Sequence, residues 1–196
     1  MKTAIHACRF LLGLDLPESQ VTRSELDCLL THVSDAKVVV EIGCCEGRTT
    51  SALAMQTKGS VFTIDPFTKG RIGVRYGEII AKTHCRRLGL ENVNFLKGFS
   101  YDIAPTFNWP IDFLFIDADH EYEAVKRDWE DWFPKVREGG VIALHDRRQA
   151  PNSPVYLGSM KFYDSDLPSV VGVEEIAAVD SLVVLRVGKW ATSISQ

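Results

Sequence analysis

The sequence lacks an excess of basic charge: 22 lysines and arginines stand against 26 aspartates and glutamates, for a formal net charge of −4. A chain with that balance has no global field to collect a polyphosphate, so a nucleic-acid substrate is not expected and a small acceptor is. It also lacks an apolar run of membrane-spanning length, so no membrane association is expected. The opening MKTAIHACRFLLGL faintly resembles a leader, but His6 and Arg9 interrupt it and no small-residue cleavage site follows. The five cysteines, Cys8, Cys28, Cys44, Cys45 and Cys85, are odd in number and without CxxC spacing. Neither a disulfide framework nor a zinc site is expected from them, and a reducing cytoplasm suits them. Internal repeats and low-complexity tracts are absent too. What remains is ordinary globular composition, 45% apolar and 24% charged over 196 residues, the length of one α/β domain.

Short β-branched runs alternate with helical-period segments, which predicts a wound parallel sheet. A first helix begins near Thr22, where Thr22 and Glu25 have capping-box spacing and Leu26, Leu29, Leu30 and Val33 form an apolar stripe. Five strands are predicted at Val38–Ile42, Val61–Ile64, Val93–Leu96, Ile111–Ile116 and Val141–Leu144, the last opened by the Gly139-Gly140 break. Helices are predicted over Thr49–Gln56, over Val74–Leu88, and after the fourth strand, where Val125, Trp129, Trp132 and Phe133 share one side. The runs Val173–Val179 and Leu182–Val187 are separated only by Asp180 and Ser181, which permits a hairpin and no crossover helix. The fold class is therefore α/β: a Rossmann-like wound sheet of seven strands, mostly parallel, with a C-terminal antiparallel hairpin. The domain divides into a helical extension (1–36), a cofactor-binding core (37–146), an acceptor lid (147–170) and the hairpin (171–189). In the lid, Tyr156, Phe162 and Tyr163 could line an aromatic or sugar site.

Wound sheets bind ligands beyond the carboxyl ends of their strands, and those ends here are chemically loaded. The first strand runs into EIGCCEG, where Gly43 and Gly47 permit a tight turn and close ligand approach before a helix N-terminus. Cys45 stands where the dinucleotide fingerprint needs its second glycine, which argues against a pyrophosphate and against a nicotinamide oxidoreductase. Asp65 follows the second strand, roughly twenty residues on, and can accept from ribose hydroxyls, with Phe67 free to face an adenine or to enter the core. Asp117, Asp119 and His120 end the fourth strand, and His145 and Asp146 the fifth.

Taken in order, EIGCCEGRTTSALA, IDPF, FIDADHEYEAVKRDW and GGVIALHD resemble the class I S-adenosylmethionine-dependent methyltransferases over about residues 38–146. The similarity extends to small bacterial sugar and natural-product methyltransferases, and more distantly to caffeoyl-CoA and catechol O-methyltransferases. The resemblance implies S-adenosylmethionine as cofactor. It places Glu41, Gly43 and Gly47 at the amino-acid part, Asp65 at the ribose, and Ser100, with Phe99 as the alternative, at the adenine edge. Asp117 joins this set and also matches the first metal ligand of the caffeoyl-CoA-like enzymes. His145-Asp146 stands in place of their Asp-Asn pair and His120 in place of their lysine. A divalent metal on Asp117, His145 and Asp146 is the resulting expectation; the imidazole favours Mn, Fe or Zn over Mg.

The implied activity is O-methylation of a hydroxylated small molecule, with His120, Asp117 and His145 as catalytic groups. Other readings stay open. A metal-independent enzyme could use His120 or His145 as base, with His145 bonded directly to Asp117. A cofactor- or partner-binding domain without turnover is a further alternative. Gly47 could serve only a turn, Ser100 and Asp119 could be helix caps, His120 could merely extend that cap, and the Trp129 stripe and Cys44-Cys45 could be packing. A homodimer is compatible with the sequence.

Overall fold

The computed structural model describes residues 4–70, 72–117, 119–147 and 156–189. Its sheet holds seven strands: β1 (Val38–Ile42), β2 (Ser60–Asp65), β3 (Val93–Lys97), β4 (Ile111–Ile116), β5 (Val136–Leu144), β6 (Val173–Val179) and β7 (Leu182–Val187). Their order is β3-β2-β1-β4-β5-β7-β6. The first five are mutually parallel, while β7 runs antiparallel to both β5 and β6. This is the Rossmann-like α/β sheet with its terminal hairpin. The chain winds outward from β1 to β3 and then returns to β4 on the other side of β1, so the switch point lies between the carboxyl ends of β1 and β4.

The helices are α1 (Ala4–Leu11), α2 (Arg23–Val33), α3 (Arg48–Gln56), α4 (Tyr76–Arg87), α5 (Ser100–Ile103), α6 (Tyr122–Trp132) and α7 (Gly158–Ser165). Strand alternation divides the core in two. Val40, Ile42, Leu114, Ile116, Ile142 and Leu144 face one layer, with Trp129 and Trp132 of α6. Val39, Phe113, Phe115, Val141 and Ala143 face the other, with Leu29 and Val33 of α2 and Leu53 of α3. Trp129 also stacks on Phe133 with ring centroids 4.6 Å apart, so this stripe is packing. Helix α1 docks separately, placing Ala7 and Phe10 on Ile80 of α4.

One boundary differs from expectation. Gly139 and Gly140 do not precede β5 but lie inside it, because the register jumps from Ile111↔Val136 to Phe113↔Val141. Gly139 has φ +75°, and a Cβ on Gly140 would sit 2.7 Å from Val136 Cγ1 and 2.8 Å from the Arg137 carbonyl. The glycines thus allow a bulge within a strand that begins earlier. Among the described residues no helix is long and apolar enough to cross a membrane.

Candidate functional site

Backbone bonds carry the ladder one step past the strand ends. Gly43 N–H donates to Ile64 O (2.9 Å), Asp117 N–H to Ile42 O (2.9 Å), and His145 N–H to Ile116 O (3.1 Å). Those bonds set Gly43, Asp117 and His145 side by side on one rim. Beside the rim opens a cavity of about 660 Å³, lined among others by Gly43, Cys45, Asp65, Ser100, Asp117 and Asp128.

The turn after β1 is built from left-handed residues: Gly43 at φ +100°, Cys45 at +55° and Gly47 at +77°. A Cβ on Gly47 would meet Ala81 Cβ of α4 at 2.9 Å, so this glycine sets how closely α3 starts against α4 and does not form cavity wall. The Asp65 carboxylate is held by two backbone donors, Cys45 N–H to Oδ2 at 2.9 Å and Phe67 N–H to Oδ1 at 2.6 Å. Each oxygen has a second lone pair, and Asp65 lines the cavity.

Besides Gly47, three of the expected cofactor residues sit differently from expectation. Phe67 is 3% exposed and packs with Cys44 and Ala81, so it belongs to the core and not to an adenine face. Its backbone N–H reaching back to Asp65, at φ +47°, is what turns the ring inward. Glu41 is fully buried beneath the turn, its Oε2 accepting from Thr50 and from Thr63, and it does not line the cavity. Burial pushes its carboxyl up to about 8, against those two hydrogen bonds. Ser100 does line the cavity, but its hydroxyl donates to Asp128 of α6. Burial raises Asp128 to about 6, opposed by that bond.

Asp128 was invisible in the sequence because it lies between the core residues Val125 and Trp129. Tyr101 and Arg127 are further wall residues that sequence reasoning missed. Tyr101 stacks on half-exposed Phe99 with centroids 5.2 Å apart, and the Arg127 guanidinium sits 3.9 Å from the Tyr101 ring centroid. Glu123 and Arg127, four residues apart, share the α6 face opposite its apolar stripe, the one sequence signal that could have found Arg127, whereas Asp128 lies beside the stripe and is buried with it. Glu18, Ser19 and Gln20 also line the cavity. They are tethered there by Glu46, which accepts from Glu18 N–H (2.6 Å) and contacts His6 Nε2 (3.0 Å).

At the far end of the rim, Asp117, His145 and Asp146 each offer one ligand atom, all within 4.8 Å of one another. His145 Nδ1 lies 3.2 Å from Asp117 Oδ1 and 3.2 Å from Asp146 Oδ2, while its Nε2 lies 3.2 Å from Glu25 Oε2. Burial pulls the His145 pKa down, but the surrounding carboxylates outweigh it and push it up to about 12. Burial works against Asp146 as well, yet His120 and His145 hold it well below the usual carboxylate range. His120 is raised by its contact to Asp146, Nδ1 to Oδ2 at 3.0 Å, which exceeds the opposing effect of burial. A second, small cavity of about 10 Å³ lies here, bordered by His145, Asp146, Ser159 and the fully buried Tyr163 hydroxyl.

Asp119 accepts from Glu121 N–H at 3.0 Å, and the residue capping α6 is Glu121 itself. The proposed lid is described only in part, since residues 148–155 lie outside the described residues. Within the remainder, Phe162 (2% exposed) packs against Trp129, and Tyr156 is exposed with its hydroxyl on Asp164.

Comparison with known proteins places this arrangement. The chain is 31% identical over 144 residues to an uncharacterized protein of Acanthamoeba polyphaga mimivirus, covering 70% of this chain and 63% of that one. It is 35% identical over 83 residues to the protein-L-isoaspartate O-methyltransferase of Thermotoga maritima, covering 42% of this chain and 24% of that one. The chain thus spans less than two thirds of these curated relatives. Its fold matches that of an O-methyltransferase from Bacillus cereus solved in complex with SAH, with a TM-score of 0.68, 22% identity, and 95% and 92% of the two chains covered. The family model described as "Methyltransferase domain" matches residues 40–147, more than half the length, and the chain belongs to that family.

Proposed function

We propose that the chain is an S-adenosylmethionine-dependent O-methyltransferase acting on a hydroxylated small molecule, a sugar or secondary metabolite, with a divalent ion assisting. The observation that carries this is the position of Asp117, which borders the large cavity and also belongs to the Asp117–His145–Asp146 cluster. One residue therefore joins the place for a methyl donor to the place where an acceptor oxygen would be held.

The residues fit both groups. For the cofactor, Asp65 keeps lone pairs for ribose hydroxyls, Gly43 and Cys45 present backbone at the cavity, and the Phe99–Tyr101 stack offers an aromatic wall. For the ion, the buried Nδ1 of His145 lies 3.2 Å from one oxygen each of Asp117 and Asp146, and by giving up its proton it would join them in a donor set suited to Mn, Fe or Zn. S-adenosylmethionine supplies an electrophilic methyl group when bound, and a divalent ion supplies Lewis acidity toward a hydroxyl.

The chain's own residues do the rest. Asp146 holds Nδ1 of His120 at 3.0 Å, which leaves Nε2 to take a proton from the acceptor hydroxyl. The acidic lining, with Asp65, Asp117, Asp119, Glu123 and Asp128 against Arg48 and Arg127, disfavours an anionic acceptor such as nucleic acid.

The test is transfer of labelled methyl from S-adenosylmethionine to a panel of catechols and free sugars, with and without EDTA. EDTA-sensitive transfer supports the reading; insensitive transfer would assign the chemistry to the His120–Asp146 pair alone. The absence of S-adenosylhomocysteine binding in calorimetry would overturn it entirely.

A further inference from the structure

Glu25 is a helix residue 120 positions away from His145 in sequence, and it is 1% exposed. It closes the capping box of α2: Thr22 N–H donates to Oε2 at 2.8 Å, and Glu25 N–H donates to Thr22 Oγ1 at 3.2 Å. A helix cap normally sits in water and has no need of a buried carboxylate. Here the same carboxylate takes three further donors. Ser181, in the β6–β7 turn, gives Oε1 its N–H (2.8 Å) and its hydroxyl (2.7 Å), and His145 Nε2 reaches Oε2 at 3.2 Å. The turn in which Ser181 lies is itself anchored, since Thr22 Oγ1 donates to Asp180 and Arg147 N–H donates to Ser181 O.

We propose that Glu25 is the positioning residue of the metal centre: it holds hydrogen on Nε2 of His145 and fixes the ring, so that Nδ1, which faces Asp117 and Asp146, is the nitrogen that would exchange its proton for a cation. The inference rests on the metal-assisted reading above and names the residue that makes His145 a ligand. An imidazole has two nitrogens, and only the one without a proton can coordinate. A carboxylate can only accept, so both nitrogens carry hydrogen as the structure stands, Nε2 toward Glu25 and Nδ1 toward Asp117 and Asp146, and a cation held by those two aspartates would displace the Nδ1 proton while Glu25 keeps the other. Ligating histidines are regularly oriented this way by a carboxylate beyond the ligand shell, and losing such a partner costs roughly 10–100-fold in metal affinity. The three donors from Thr22 and Ser181 prevent the Glu25 carboxylate from swinging away, which a lone ion pair could not ensure.

Glu25→Gln tests this directly, because it removes the negative charge that holds the Nε2 hydrogen and places an NH2 group among donors that a carboxylate satisfies. The expected result in Mn2+ titration calorimetry of the full chain is a loss of roughly 10–100-fold in affinity. S-adenosylhomocysteine affinity, set at Asp65, should be retained. Ser181→Ala removes a donor to the same carboxylate without touching His145, and is expected to lower the unfolding midpoint while leaving Mn2+ affinity within about twofold. Should Glu25→Gln fail to fold, nitrogen NMR of the zinc-loaded wild-type chain decides, with His145 expected to be protonated at Nε2 and unprotonated at Nδ1; the reverse pattern overturns the proposal. Mn2+ affinity lost in His145→Ala but unchanged in Glu25→Gln overturns this proposal alone. A wild-type chain that binds no Mn2+ overturns it together with the metal-assisted function.

Discussion

The carboxylate of Asp65 accepts the backbone N–H of Cys45 at 2.9 Å, tying the end of β2 to the turn after β1 before any ligand arrives. Preorganisation of this kind lowers the ordering cost of binding. Asp65→Ala is expected to weaken S-adenosylhomocysteine binding by about 1.5–3 kcal/mol, since a charged acceptor to ribose hydroxyls is lost. Isothermal titration reads this, and an unchanged Kd would remove Asp65 from the cofactor site.

Two aromatic residues near the cavity should behave oppositely. Tyr101 is wall and Phe67 is core, so Tyr101→Ala is expected to lower cofactor affinity with little change in stability. Phe67→Leu should cost on the order of 1 kcal/mol of stability with affinity nearly intact. Urea denaturation and calorimetry on the same samples separate the two effects. A Phe67 variant with normal stability and poor binding would contradict the placement of this ring.

Gly13 and Gly47 form a matched pair, both at φ +77°, but a Cβ at Gly13 meets nothing within 4 Å while one at Gly47 lies 2.9 Å from Ala81 Cβ and 3.0 Å from its Cα. Gly13→Ala should cost only the left-handed penalty, about 1–2 kcal/mol. Gly47→Ala should add about 1–3 kcal/mol for overpacking against backbone that cannot step aside. Equal losses in urea unfolding would mean that α3 and α4 are not held this closely.

Glu41 predicts a pH dependence. Its folded pKa of about 8 exceeds the unfolded value of 4.5, so between those limits the folded chain carries the extra proton. Stability from this group therefore falls as pH rises from 4.5 through 8, with a slope of at most about 1.4 kcal/mol per pH unit. Glu41→Gln has no proton to lose and should flatten that decline, gaining on the wild type as pH increases. Denaturation curves that stay parallel from pH 5 to 8 would show that Glu41 is not held neutral.

Manganese should stabilise the wild-type chain by mass action, by about 2.7 kcal/mol when present at a hundredfold excess over its Kd. Asp146→Ala is expected to abolish the rise in unfolding midpoint while the rise caused by S-adenosylhomocysteine persists. Retention of the manganese effect in that variant would move the ion elsewhere.

Local pattern was enough for the architecture. Alternating apolar runs define β1 to β4 within a residue or two, and the two-residue gap at Asp180-Ser181 is too short for a crossover, so the terminal hairpin follows from chain length alone. The acidic residues past β2 and β4 and the His145-Asp146 pair past β5 were legible for the same reason, because strand ends in a wound sheet share one rim. Side-chain direction beyond a strand end is another matter, since it depends on what packs there from remote parts of the chain. Phe67 turns inward because Cys44 and Ala81 receive it, Glu41 lies under the turn because Thr50 and Thr63 take its oxygen, and Ser100 meets an aspartate from α6. Glu25 shows the limit most clearly: spacing identified its capping role, a contact four residues wide, while its hold on His145 exists only once α2, β5 and the β6–β7 turn have come together. Short-range periodicity and turn chemistry are written along the chain, whereas a buried polar contact between distant segments is decided by the tertiary packing that removes water from both partners.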